Sequence, residues 1–143
     1  MTGRALYMDE SAYLQMTAHG RESLPREACG ILSGVDGYAM RCRPLANESL
    51  FSHSFFVSEK NTAHVLHQIE QCRETPLAVY HTHPVTQAVP SSLDVRHHAD
   101  PAVFMVIVSY KQNIEARVYR IDSGTYKEVP LFRGKGRPSA GTL

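Results

Sequence analysis

The segment Leu77-Ala78-Val79-Tyr80-His81-Thr82-His83-Pro84 constrains this chain more than any other. An apolar run leads into two imidazoles at alternate positions, and a proline closes it. In an extended strand residues i and i+2 point to one face, so His81 and His83 aim at one point in space. A short loop bounded by Pro84 and Pro90 follows, and then Ser91-Ser92-Leu93-Asp94. The prolines restrict that loop's backbone, and it can bring Asp94 to the same point as a third ligand. Two neutral imidazoles, one carboxylate and a fourth position left open make up a catalytic zinc site. The chemistry implied is metal-assisted hydrolysis.

HxH alone is weak evidence, because histidine pairs arise by chance on many strands. The full string HxHP…PSxxD is far more specific. Ser91 and Asp94 stand at i and i+3, on the same side of a first helical turn. Plain helix capping would also account for that pair, with Ser91 as N-cap and Asp94 favouring the positive helix end. Capping and chemistry are compatible.

With these residues in view, the chain resembles the JAMM (MPN+) metallopeptidases. That family's pattern is an early glutamate, then HxHP, a short loop, and SxxD. It is filled here by Glu27, His81, His83, Pro84, Ser91 and Asp94, with no departure from the metal motif. The flanks agree: Pro25-Arg26-Glu27-Ala28-Cys29-Gly30-Ile31-Leu32-Ser33-Gly34 looks like the glutamate segment, and Leu77 to Tyr80 like the buried strand before the histidines. The resemblance spans roughly residues 8–131. It implies a single MPN-type α/β domain, a mixed central sheet flanked by helices. It implies one Zn2+ per chain with a bound water, held by His81, His83 and Asp94. Glu27 would be the general base and Ser91 the oxyanion donor. Nothing in the sequence itself brings Glu27 to the metal, and a surface glutamate would be its ordinary reading.

Pro44-Leu45-Ala46-Asn47-Glu48 and Tyr119-Arg120-Ile121 are most similar to small bacterial members that act on ubiquitin-like sulfur-carrier proteins. That likeness implies hydrolysis of a peptide or isopeptide bond after a C-terminal Gly-Gly, releasing terminal residues or an amino acid such as cysteine. The partner would be the small carrier, since glycines let an extended backbone approach a narrow site closely. Two other readings stand beside this one: a non-catalytic MPN scaffold that binds partners, and a RadC-like DNA-repair-associated protein. A zinc deaminase is excluded by the lack of PCxxC.

Length and charge narrow the field. At 143 residues the chain is one domain able to bury a core. A net charge of +1 gives no case for nucleic acid or an acidic membrane surface. No apolar run approaches the ~20 residues of a membrane helix, and the N-terminus lacks a signal-peptide core. Cys29, Cys42 and Cys72 form no CxxC and read as free thiols in a reducing cytoplasm. The oligomeric state, a homodimer included, is left open.

The residue pattern predicts helix, strands, helix, strand, helix, strands, hence a sheet with helices packed on it. Asp9 caps a helix through Ala12, Tyr13 and Met16 toward Glu22, stopped by Pro25. Ile31-Leu32 and Tyr38 to Arg43 form a hairpin around Val35-Asp36-Gly37. His53 to Val57 reads as another strand. Ser58 opens a helix with Thr62, Val65, Leu66, Ile69 and Cys72 on one face. A short helix from Ser91 to about Ala99 stops before Pro101. Val103 to Ser109 is apolar enough for a buried strand, Ile114 to Ile121 alternates, and Ser123-Gly124 turns into a last strand, Thr125 to Leu131. The domain is expected over residues 1–132, with 133–143 a disordered tail. His53, His64, His67, His97 and His98 read as solvated histidines and Cys29 as a small core residue. Lys127, Arg133, Lys135 and Arg137 are too sparse for a nucleic-acid surface.

Overall fold

Two hairpins and one buried strand organise the molecule, whose computed structural model describes residues 4–136. Strand β1 (Leu6–Asp9) runs directly into helix α1 (Glu10–Ser23). Asp9 caps that helix by accepting the Ser11 N–H at 3.0 Å. Strands β2 (Cys29–Val35) and β3 (Tyr38–Leu45) form the first hairpin. Its two turn residues, Asp36 and Gly37, both have positive φ (53° and 77°), the backbone that a two-residue hairpin turn demands.

Helix α2 (Glu59–Gln71) is capped by Ser58 and followed by strand β4 (Thr75–His83). Helix α3 (Ser92–His97) leads to β5 (Phe104–Ser109). Strands β6 (Glu115–Asp122) and β7 (Thr125–Val129) make the second hairpin, turned by Ser123 (φ 53°) and Gly124 (φ 79°). Strand β8 (Leu131–Gly134) ends the described chain.

All eight strands join one mixed sheet in the order β7-β6-β5-β4-β2-β3-β1-β8. β4 and β5 pair in parallel, from Ala78 opposite Phe104 to His83 opposite Ser109. Every residue of β5 is buried, as expected of a strand covered on both faces. One face packs on α1 and holds Leu6, Met8, Met16, Leu32, Tyr80, Val106, Val108 and Val118. The other buries Ala88, Met105, Ile107, Tyr119 and Ile121, with Val95 of α3 against them. Because side chains alternate along β4, His81 and His83 belong to this second face.

β7 and β8 are the two outermost strands, yet only Pro130 separates them in the chain. Consecutive Cα atoms lie about 3.8 Å apart, so the opposite margins must meet at that residue. The sheet therefore curls so that its two margins meet at Pro130, whose carbonyl accepts the Leu6 N–H at 3.0 Å.

The start of β4 is anchored as firmly as its end. Glu74 is buried and accepts from Ser33 Oγ and Arg41 Nε, both at 2.7 Å.

Four expectations change. Residues 53–57 form no strand; their backbone is drawn into a side-chain-knotted loop. The last strand ends at Val129, because Pro130 lacks an N–H for the ladder. β8 then runs into the segment read as tail: Arg133 and Gly134 pair with β1. Arg133 lies 3.8 Å over the Tyr13 ring and 3.5 Å from Glu10. Residues 137–143 lie outside the described residues. On α2, Ile69 is buried but Leu66 and Cys72 face outward.

Candidate active site

The site is built at the end of β4. His81 Nε2 and His83 Nε2 stand 3.2 Å apart. Asp94 Oδ2 lies 3.1 Å from the first and 3.3 Å from the second. Zinc–nitrogen and zinc–oxygen bonds of about 2.0–2.1 Å in a tetrahedron place donor atoms roughly 3.3–3.4 Å apart. The observed triangle therefore fits that ion. Among the described residues no other group of three His, Cys, Asp or Glu side chains converges in this way.

The surroundings orient each donor. His83 Nδ1 is 2.7 Å from the Gln87 carbonyl. A carbonyl only accepts, so Nδ1 carries a hydrogen, and in the neutral ring, the form that ligates a metal, Nε2 is left with the lone pair. Such outer partners fix both tautomer and ring angle. The loop supplying Gln87 is itself tied down, with Tyr119 donating to the Ala88 carbonyl and Ser109 Oγ to the Thr86 carbonyl. Asp94 sits in the first turn of α3, where the Ser91 N–H donates to its Oδ2 at 2.9 Å. The Ser91 hydroxyl in turn accepts the Asp94 N–H at 3.0 Å, which closes a capping box. Burial raises the Asp94 carboxyl, but hydrogen bonds from His81, His83 and the Ser91 backbone hold it well below the usual carboxylate range. At His83 burial opposes charge, yet Asp94, Gln87 and Glu27 raise the ring above its ordinary value. The site thus favours a positive charge where the three donors meet.

Glu27 stands just before β2 and reaches the same site through the sheet. β2 pairs with β4 so that Cys29 lies opposite His81. One step earlier, the Ala28 N–H donates to Thr82 Oγ1 at 2.8 Å, and the Thr82 N–H to the Ala28 carbonyl at 3.0 Å. Glu27 is half-buried. Burial pushes its carboxyl up to about 7, with His83 opposing and Asp94 adding to the rise. Of the five residues expected at the site, His81, His83 and Asp94 converge, Ser91 bonds to Asp94, and Glu27 lies near enough to feel the charges of His83 and Asp94. Ser91 is exposed, and a hydroxyl that accepts one bond keeps its own proton to donate.

Other sequence candidates fall elsewhere. Cys29 is buried beside Glu27 but is not one of the converging donors. Burial, Glu27 and Glu48 push its thiol up to about 12, so it stays protonated. His98 bonds to the Val103 carbonyl at 2.8 Å, His64 to Gln68 at 3.3 Å, and His53, His67 and His97 are exposed.

Sequence reasoning missed three residues that shape the site. Phe55 stacks on His81, with ring centroids 5.0 Å apart and planes at 26°. Thr82 had no assigned role, although its place between the histidines points it to the opposite face of β4. Asn47 carried no local signal for the loop it organises.

No helix among the described residues is long and apolar enough to cross a membrane. Residues 9–122 match the family described as prokaryotic homologs of the JAB domain. A CysO-cysteine peptidase of Mycobacterium tuberculosis is 33% identical over 120 residues, covering 81% of this chain and 82% of that one. A desampylase of Haloferax volcanii is 27% identical over 116 residues, covering 76% and 84%. Among solved structures, a Desulfitobacterium hafniense protein superposes with a TM-score of 0.83 at 26% identity, over 92% of this chain and 94% of that one. A JAB1/MPN domain protein from Archaeoglobus fulgidus shares the fold with a TM-score of 0.60 at 15% identity, over 90% and 99%.

Proposed function

The chain belongs to the prokaryotic JAB-domain branch of the JAMM/MPN family, and from that premise we propose that it is a zinc-dependent peptidase. Its substrate is a ubiquitin-like sulfur-carrier protein, cleaved after the C-terminal Gly-Gly to release terminal residues or an amino acid such as cysteine. The observation that carries this reading is the triangle of His81, His83 and Asp94, 3.1–3.3 Å on a side, beside a carboxyl at about 7. The names of the mycobacterial and haloarchaeal relatives support the substrate class.

His81, His83 and Asp94 would hold the zinc. Bound there, zinc supplies a Lewis acid that polarises a carbonyl and makes water acidic enough to attack near neutral pH. The remaining work falls to the chain. Glu27 takes a proton from the attacking water and returns it to the leaving nitrogen as the C–N bond breaks, leaving a carboxylate and an amine. A base is most effective when its pKa lies near the working pH, and half-burial holds Glu27 there. Ser91 accepts from Asp94 and offers its free proton to the oxyanion of the tetrahedral intermediate. Phe55 covers one side of His81 and limits water on that flank. Free thiols at Cys29, Cys42 and Cys72 suit a reducing compartment, so we place the reaction in the cytoplasm.

The test is elemental analysis of bound metal, together with cleavage of a Gly-Gly-tailed carrier bearing one or two extra residues, with and without chelator. About one zinc per chain and chelator-sensitive trimming after the second glycine are expected. Zinc without cleavage would redirect the search for substrate; neither zinc nor cleavage would favour a partner-binding scaffold.

A further inference from the structure

Asn47 lies two residues beyond β3 and has no part in the chemistry above. A primary amide has two donor hydrogens and two acceptor lone pairs, and here all four are used. Nδ2 donates to the Glu27 carbonyl at 2.9 Å and to the Ser54 carbonyl at 3.0 Å. Oδ1 accepts the Ser49 N–H at 2.9 Å and the Phe56 N–H at 3.1 Å. The loop so gathered presents Phe55 to the His81 ring. Arg26 grips the same loop through the Ser49 carbonyl at 2.5 Å. On its other side, the peptide linking Glu27 to Ala28 is held by Thr82 Oγ1, at 2.8 Å from the Ala28 nitrogen. One peptide plane, adjoining the half-buried carboxyl, is thus fixed at both its carbonyl and its N–H by side chains from distant segments.

We propose that Asn47 is a positioning residue. It ties the backbone of Glu27 to the Phe55 loop, and so fixes the distance between the base and the His81 imidazole. This rests on the reading of Glu27 as the base. Misplacing a reacting group by about 1 Å can cost on the order of 100-fold in rate. A side chain that holds the Glu27 carbonyl therefore acts on turnover more than on substrate affinity.

Two variants separate this from a purely structural role. Asn47→Asp keeps two of the three bonds that gather the loop, those to the Ser49 and Phe56 N–H groups, but loses the donors to the Glu27 and Ser54 carbonyls. Asn47→Ala loses all four bonds. Both variants should lower kcat about 10-fold or more, while KM stays within about threefold. Apart from activity, NMR contacts between the Phe55 and His81 rings should persist in Asn47→Asp and vanish in Asn47→Ala. Wild-type kcat in Asn47→Asp would overturn the proposal, because Asn47 would then serve only the loop. Unchanged ring contacts in Asn47→Ala would overturn it too, as would failure of both variants to fold. Wild-type protein and Glu27→Gln are assayed alongside. Activity surviving in Glu27→Gln would remove the base assignment itself, a result distinct from any Asn47 outcome.

Discussion

Thr82 and Ala28 exchange two hydrogen bonds, Ala28 N–H to Thr82 Oγ1 at 2.8 Å and Thr82 N–H to the Ala28 carbonyl at 3.0 Å. The residue between the two histidines thereby grips the residue after Glu27. Both partners are buried, so the hydroxyl has no water to replace it. Thr82→Val keeps the shape and strands the Ala28 N–H. The expected loss is about 1–3 kcal/mol of stability, read by urea denaturation, with a fall in kcat because Glu27 is the next residue.

Removing a donor from the triangle tests the metal assignment. His83→Ala and Asp94→Ala should each bind zinc far more weakly than the ~10–100-fold loss typical of outer-shell changes. Elemental analysis after dialysis reads this out; wild-type stoichiometry in either variant would exclude that residue as a ligand. Asp94→Ala also strips a capping box from α3 and should cost about 1 kcal/mol of stability on that account, whereas His83→Ala carries no such penalty.

Glu27→Gln should abolish hydrolysis while zinc binding and fold persist. It should also alter the pH dependence of stability in chelator-treated protein. The folded carboxyl titrates at about 7, above its ordinary 4.5, because burial disfavours its charge. Between those values the unfolded chain loses the proton first, so stability falls as pH rises through the window and levels off above it. Exposure of the half-buried group limits the effect to roughly 1 kcal/mol. Thermal melts at pH 5 and pH 8 should show this decline in the wild type and a flatter response in Glu27→Gln.

Gly30→Ala tests the packing behind the site. A Cβ at Gly30 would meet the Tyr80 ring at 2.3–2.4 Å. The ring cannot swing away freely, since Tyr80 is buried and its hydroxyl lies 2.7 Å from His19 Nδ1. Overpacking of this kind costs about 1–3 kcal/mol, and the melting temperature should fall by several degrees.

What could be read in the sequence was local. The Asp36-Gly37 turn, the Ser58 cap, the apolar run of β5 and the spacing of His81 and His83 each carry their signal within a few residues. The two strands that escaped notice, β1 and β8, are four residues long and pair with each other across nearly the whole chain. β1 was hidden because its last residue, Asp9, is also the cap of α1. β8 was hidden because it follows a proline in a stretch rich in glycine and basic residues. Residues 53–57 read as a strand, but Asn47, bonded to the Ser54 carbonyl and the Phe56 N–H, and the Glu48 N–H on the Phe56 carbonyl hold their backbone in a loop instead. The approach of Glu27 to the histidines depends on β2–β4 register, which no single segment encodes.

The pairing of β1 with β8 also bears on how the molecule is made. One edge of Leu6 to Asp9 pairs with β3, but the other finds its partner in Leu131 to Gly134. Ribosomes add roughly 5–20 residues per second, so the first strand waits several seconds for the last to emerge. During synthesis the outer edge of β1 stays open to strands of other nascent chains. Pairing of β1 with β8 is therefore a late event, completed once the C-terminal strand has left the ribosome. Chains truncated before residue 131 should be the aggregation-prone species in the cell.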